Sequence, residues 1–223
     1  MLYIPRDIVS GDFYWLAQPD DKKPNEILVA AADCTGHGVP GAFMSMIGNT
    51  LLNEAVRQRN EREPASILNR LHKDIRTALH QDAGSETRDG MDVAVVRLDF
   101  ANGKVYYAGA NRPLVMVENG ALQEIRADKM PIGGLQGEEE RSFTGHTFDV
   151  KKGTMIYIFT DGFADQFGGP KGKKFMVKKF YDMLSGMAQQ PCIEQHTILM
   201  HAIQEWKGTH EQVDDVLVIG IRI

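Results

Sequence analysis

The sequence predicts an α+β protein, an α-β-β-α sandwich of two mainly antiparallel sheets, each covered by a pair of helices. Three observations lead there. Strand-like and helix-like segments come in blocks rather than alternating, which disfavours a doubly wound parallel sheet. The pairs Asn102-Gly103 and Asn119-Gly120 fall between strand-like runs, and that dipeptide supplies the positive φ angles of two-residue hairpin turns. Several strands are apolar on both faces, as strands are when a second sheet lies on one side and a helix layer on the other.

In chain order, strand-like patterns cover Ile8 to Leu16 and Glu26 to Asp33, and then the period changes. A helix is predicted from Pro40 to about Arg59, with proline in the opening turn, where its missing N–H costs little. A second helix starts at Pro64 and places Leu68, Leu71, Ile75 and Leu79 on one stripe. The polar loop QDAGSETRDG ends it. From Met91 to Phe159 the chain reads as strands: MDVAVVRLDF, KVYYAGAN, PLVMVE, ALQEIR, HTFDV and TMIYIFTD. Val177, Phe180, Tyr181, Leu184 and Ala188 mark a third helix, and Leu199, Ala202, Ile203 and Trp206 a fourth that Gly208 terminates. The segment DDVLVIGIRI is a closing strand.

Residues 1–223 read as one domain, and the abrupt opening on a strand-like pattern leads to the expectation of a domain cut from a longer protein. Apolar residues make up 43% of the chain, yet no apolar run approaches the roughly 18 residues of a membrane span. Lys and Arg number 25 against 30 Asp and Glu, a net charge of −5, so there is no basic field to gather nucleic acid. Cys34 and Cys192 are isolated thiols, expected to be buried spectators in a reducing compartment. With no signal-peptide pattern, the expected location is the cytoplasm, with any membrane tether lying in an attached sensor.

Gly36, Gly38 and Gly41 in ILVAAADCTGHGVPGAFMSMIG match G-x-G-x-x-G between a strand and a helix, the setting of a dinucleotide-binding turn. Yet no second strand with a ribose-binding acid follows, Asp33 at the loop mouth would repel a pyrophosphate, and no Gly-Lys-Ser/Thr is present. A different pattern accounts for Asp33. Acids stand at the ends of apolar strands: Asp33 closes ILVAAAD, Asp161 closes MIYIFTD, Asp214 and Asp215 open DDVLVIGI, and Asp12 lies in SGDFYW. In antiparallel neighbours such ends share one rim. Two carboxylates about 4 Å apart repel by roughly 4 kcal/mol at an effective dielectric near 20. Divalent cations offset that repulsion at neutral pH, and an all-oxygen set suits Mg²⁺ or Mn²⁺.

The motifs SGDFYW, DCTGHGVPGAFMS, YYAGANRPL, YIFTDGFAD and QVDDVLVIGI together resemble, in order and setting, the metal-dependent serine/threonine protein phosphatases (PPM, type 2C). The likeness is to the bacterial branch similar to sporulation stage II protein E, and it covers essentially the whole chain. The resemblance implies two Mn²⁺ or Mg²⁺ ions and hydrolysis of phosphoserine or phosphothreonine in a protein. It makes Asp33 and Asp161 the catalytic acids. Asp33 would bridge both ions, the Cys34 carbonyl would ligate one, Asp12 would belong to one metal, and Asp161 and Asp214 to the other. Because the wider family ends on Asp-Asn, Asp215 is left beside Asp214 as a supporting residue. Asn111, Arg112 and the DQFGG segment are candidates for the substrate groove, as is His37. Implied partners are a phosphorylated regulator of the anti-sigma-factor-antagonist type, an upstream sensor acting through the helices at Pro40 to His80, and a second copy in a homodimer.

Two departures stand out. Eukaryotic members place a histidine two residues after the bridging aspartate, whereas His37 stands four after Asp33, so a structural loop role competes with that of proton donor. Arg6 is the nearest candidate for the phosphate-binding arginine of those relatives, and a plain surface arginine explains it as well. The rival reading is a catalytically silent module of the same fold that holds a phosphoprotein.

Overall fold

In the computed structural model the described residues are 1–19, 24–81, 88–134 and 142–223, so residues 82–87 of the predicted polar loop lie outside them. The chain begins with β1 (Leu2–Ile4), β2 (Phe13–Ala17) and β3 (Glu26–Cys34), followed by α1 (Gly38–Asn53), a π-helical turn (Glu54–Gln58) and α2 (Pro64–Ala78). Next come β4 (Gly90–Asp99), β5 (Lys104–Ala110), β6 (Leu114–Glu118), β7 (Ala121–Ile125), β8 (Ile132–Gly133), β9 (His146–Asp149) and β10 (Met155–Phe159). The last part holds α3 (Gly162–Asp165), β11 (Phe167–Gly168), β12 (Lys173–Lys174), α4 (Val177–Met187), α5 (Cys192–Lys207) and β13 (Val216–Arg222).

One sheet has the order β2-β3-β4-β5-β9, with β8 on β4; the other runs β1-β13-β10-β6-β7; β11 and β12 form a separate ribbon. The named strands pair antiparallel throughout. Side-chain alternation sorts the layers. Leu28, Ala30, Ala32, Val93 and Val95 face α1 and α2, where Leu52, Leu68, Leu71 and Ile75 are buried. Their neighbours Val29, Ala31, Ala94, Val96 and Leu98 turn the other way, onto Leu114, Ile156, Ile158, Leu217 and Ile219 of the second sheet. That sheet's outer face, with Tyr157, Phe159, Val216 and Val218, packs on Phe180, Leu184, Leu199 and Ile203 of α4 and α5. The α-β-β-α sandwich predicted from element order is the observed architecture.

Local departures have physical causes. The predicted strand from Ile8 starts only at Phe13, because the backbone N–H groups of Arg6, Gly11 and Asp12 donate to the Asp215 carboxylate instead of a ladder. Asn119-Gly120 forms the expected two-residue turn, with φ of 52° and 81° between paired Glu118 and Ala121. At Asn102-Gly103 the loop is longer. Asp99 pairs with Lys104, and its carboxylate accepts both the backbone N–H and the side-chain amide of Asn102. Helix α3 and the β11–β12 ribbon were not foreseen, being too short to show a period. Cys34 is buried as expected, but Cys192 is exposed at the start of α5. No helix among the described residues is long and apolar enough to cross a membrane.

Candidate active site

Antiparallel order brings matching strand ends to one rim of the sandwich. Asp12 precedes β2, Asp33 lies near the end of β3, and Asp92 near the start of β4, directly opposite Asp33 in register. From the other sheet come Asp161, after β10, and Asp214, before β13. Arg112 sits where the chain crosses from β5 in one sheet to β6 in the other. Asp33, Cys34, His37, Asp92, Arg112, Asp161 and Asp214 line a cavity of about 300 Å³ at this seam.

The glycine-rich loop has a steric purpose. A Cβ on Gly41 would lie 2.4 Å from the Gly36 carbonyl oxygen and 2.9 Å from the Gly11 Cα; one on Gly11 would lie 2.5 Å from that same oxygen. Three backbone segments therefore meet at a spacing that only glycine permits, which seats the loop after Asp33 against the residue before Asp12. At the opposite side a Cβ on Gly162 would fall 1.9 Å from the Asp215 carbonyl oxygen, so the Asp161 turn is pressed onto the entrance of β13 in the same manner.

Thr160 joins the two sheets. Its hydroxyl donates to Asp12 Oδ2 at 2.6 Å and accepts the Leu217 N–H at 3.1 Å. The tandem acids divide their labour. Asp214 faces the cavity, whereas Asp215, 2% exposed, is spent on the backbone N–H groups of Arg6 and Gly11 at 2.7 and 2.8 Å. Gln166 of the DQFGG segment is buried and braces the approach to Asp214 by bonding the Glu211 carbonyl and the Val213 N–H. Arg6 extends along the surface to the Val213 carbonyl at 3.0 Å. His37 caps the start of α1, half exposed, with Nδ1 2.9 Å from Asp7 Oδ2. Asn111, at φ 56°, donates its amide to Asp92 Oδ1 at 2.8 Å.

Arg112 is the cation inserted among the acids. Its Nη2 lies 2.9 Å from Asp33 Oδ2, 3.1 Å from Asp92 Oδ2 and 2.7 Å from Asp161 Oδ2. Burial works against its charge, but Asp33, Asp161 and Asp92 outweigh that and hold the guanidinium above its usual pKa. Negative charge still dominates. Burial, then the neighbouring Asp33, pushes the Asp12 carboxyl up to about 9; the Thr160 hydrogen bond opposes this, while Asp215 and Asp214 add to it. Burial raises Asp33 to about 7, with Arg112 pulling down and Asp161, Asp214 and Asp92 pushing up. Asp214 is raised by burial and by Asp161 and Asp215, and burial lifts the Cys34 thiol so far that the side chain stays protonated.

This donor set fits a hard divalent cation: it is all oxygen, half-desolvated and short of positive charge. Among the described residues no three His, Cys, Asp or Glu side chains are gathered tightly enough to cage an ion as they stand.

Asp12, Asp33, Asp161 and Asp214 all reach the rim. Asp92 and Thr160 were missed from sequence. Asp92 opens the apolar strand DVAVV just as the tandem acids open VLVIGI, so the same strand-end pattern contained it; Thr160 carried no signal beyond its place before Asp161.

Comparison with known proteins agrees with this architecture. A sequence model of the family described as stage II sporulation protein E (SpoIIE) matches residues 23–223. Among solved structures, the SiaA-PP2C domain of Pseudomonas aeruginosa is 32% identical, with a TM-score of 0.88 over 100% of this chain and 84% of that one. The PP2C phosphatase domain of SpoIIE from Bacillus subtilis, solved with a fragment of its regulatory domain, gives 17% identity and a TM-score of 0.74, over 100% of this chain and 61% of that one. The RsbU and RsbW domains of Rv1364c from Mycobacterium tuberculosis give 19% and 0.73, over 99% and 58%. Comparison with curated protein sequences finds no match. The chain thus belongs to the stage II sporulation protein E family, a bacterial branch of the PP2C-type (PPM) serine/threonine phosphatase fold.

Proposed function

We propose that this chain is a phosphatase dependent on Mn²⁺ or Mg²⁺ that removes phosphate from phosphoserine or phosphothreonine in a bacterial regulatory protein. The observation that carries the reading is the convergence of Asp33, Asp161 and Asp214 from both sheets on one cavity, with Asp12 buried beside Asp33, and with Asp12 and Asp33 pushed far above the usual carboxylate range. Asp12, Asp33, Asp161, Asp214 and the Cys34 carbonyl would hold the ions, with Asp33 serving both, the Cys34 carbonyl one of them, and Asp12 the ion that Asp161 and Asp214 do not hold. When bound, such a pair acidifies a water nucleophile and offsets charge on the transferring phosphoryl group. Asp214 is preferred to Asp215 as the ligand because both Asp215 oxygens are committed to backbone donors. Thr160 orients Asp12, and the glycine junction sets its distance from the Asp33 loop. His37, held by Asp7, would line the cavity edge beside these residues.

In the relatives that this chain covers for 61% and 58% of their length, further domains accompany the phosphatase unit. By analogy the full protein places this unit, residues 1–223, as the cytoplasmic C-terminal output of an upstream sensor. Its substrate would be a phosphorylated regulator of the anti-sigma-factor-antagonist type, and dimerisation would run through α1 and α2. A silent phosphoprotein-binding module is the second reading, favoured by Arg112 standing among the acids. The deciding experiment measures p-nitrophenyl phosphate hydrolysis against Mn²⁺ concentration for the wild type and Asp161→Asn. A metal-dependent rate lost in the variant supports the hydrolase. Absence of any rate, with retained binding of a phosphorylated regulator, supports the silent module.

A further inference from the structure

Arg112 contacts its carboxylates in an uncommon way. Guanidinium groups usually meet carboxylates through two nitrogens as a fork. Here one nitrogen, Nη2, is shared by Asp33, Asp92 and Asp161, while the Nε of the same group is buried without a hydrogen-bond partner. That is how a point-like ion is coordinated. The root of the side chain is fixed independently: the Arg112 N–H donates to the Ala110 carbonyl at 2.7 Å, and its own carbonyl accepts the Tyr107 hydroxyl at 2.7 Å. Arg112 lines the cavity, and its tip contacts Asp33 and Asp161, two of the residues that the metal-dependent reading assigns to the ions.

Resting on that reading, we propose that the Arg112 guanidinium is a built-in substitute cation. It gathers Asp33, Asp92 and Asp161 while the site is free of metal, yields Asp33 and Asp161 to the incoming ions, and then turns its released nitrogens on the oxygens of the substrate phosphate. A divalent ion binds carboxylate oxygens at about 2.0–2.2 Å, so it cannot share a centre with a nitrogen already in contact with them. Asp92, which holds Asn111 by its other oxygen, is outside the implied ligand set and is placed to keep the tip at the cavity when the other two acids are taken. A planar group with several donors suits a phosphate once it is free to present its edge.

The test uses the whole chain stripped with chelator and dialysed, as wild type, Arg112→Met and Arg112→Lys, with folding checked by circular dichroism in Mn²⁺. Calorimetric titration with Mn²⁺ should show the methionine variant binding the ion about tenfold more tightly than the wild type, or about 1.4 kcal/mol, with lysine between them. In saturating Mn²⁺, inorganic phosphate should bind the methionine variant about tenfold more weakly. Equal or weaker Mn²⁺ binding by the variant, or phosphate binding that does not change, overturns this inference and leaves the metal-dependent reading standing. If none of the three proteins binds Mn²⁺, both fall together. Mn²⁺ binding by the methionine variant alone would be its strongest support.

Discussion

Replacing Thr160 by valine isolates the tie between the two sheets. The residue is 1% exposed, and valine reproduces its shape without the hydroxyl, so no cavity forms. Lost are the bond from Oγ1 to Asp12 at 2.6 Å and the acceptor for the Leu217 N–H at 3.1 Å. With the Asp12 carboxyl raised to about 9, the first is at neutral pH a hydrogen bond to an uncharged group, worth about 0.5–1.5 kcal/mol, and a buried donor left unpaired costs about 1–3 kcal/mol. The two losses share one atom and do not simply add, so the expected destabilisation is about 2 kcal/mol. For a chain of this length each kcal/mol moves the midpoint by roughly 2–4 °C, giving a fall of about 4–8 °C. Thermal unfolding followed by circular dichroism in chelator measures it. Thr160→Ser keeps both hydrogen-bonding roles and should lose only about 1 kcal/mol for the missing methyl group. A valine variant melting within about 2 °C of wild type would refute the reasoning, since neither bond would then be contributing.

Gly41→Ala places a Cβ 2.4 Å from the Gly36 carbonyl oxygen, and the forced displacement should cost about 1–3 kcal/mol and weaken Mn²⁺ binding in calorimetry; an unchanged melt and affinity would contradict the glycine-junction argument. Asp12 binds protons more tightly folded than unfolded, so its contribution to stability is full below its ordinary pKa of 3.8 and is lost as pH rises toward about 9. In chelator, Asp12→Asn should therefore raise the midpoint more at pH 8 than at pH 5, and equal shifts at both would count against it. Asp215→Asn leaves one acceptor for the N–H groups of Arg6 and Gly11 and sets an NH₂ donor against the other, which should cost about 3 kcal/mol in chelator, whereas Asp214→Asn should leave that melt near wild type while abolishing Mn²⁺ stabilisation. The reverse pattern would exchange the roles of the tandem acids.

The sandwich was legible because its main strands and helices are long enough to show a period: β3 and β4 alternate between two apolar environments, and α2 carries a clean stripe. The strand-end acids were legible for the same reason, since antiparallel order fixes where such ends fall. What escaped notice depended on contacts far apart in sequence. Residues 8–12 read as strand because nothing local says that the N–H groups of Gly11 and Asp12 are claimed by Asp215, more than two hundred positions on. Arg112 was legible only as a turn residue beside a possible groove. Its place among Asp33, Asp92 and Asp161 arises from the crossing between sheets, which no short window of sequence contains.

The seam itself gives the rim a mechanical meaning. Asp12, Asp33 and Asp92 ride on one sheet and Asp161 and Asp214 on the other, so neither sheet alone assembles the ring. Whatever positive charge sits at the centre is a rivet through both plates of the sandwich. A cation held there would tie the two sheets together through those side chains, so binding at the rim would be linked to the alignment of the sheets.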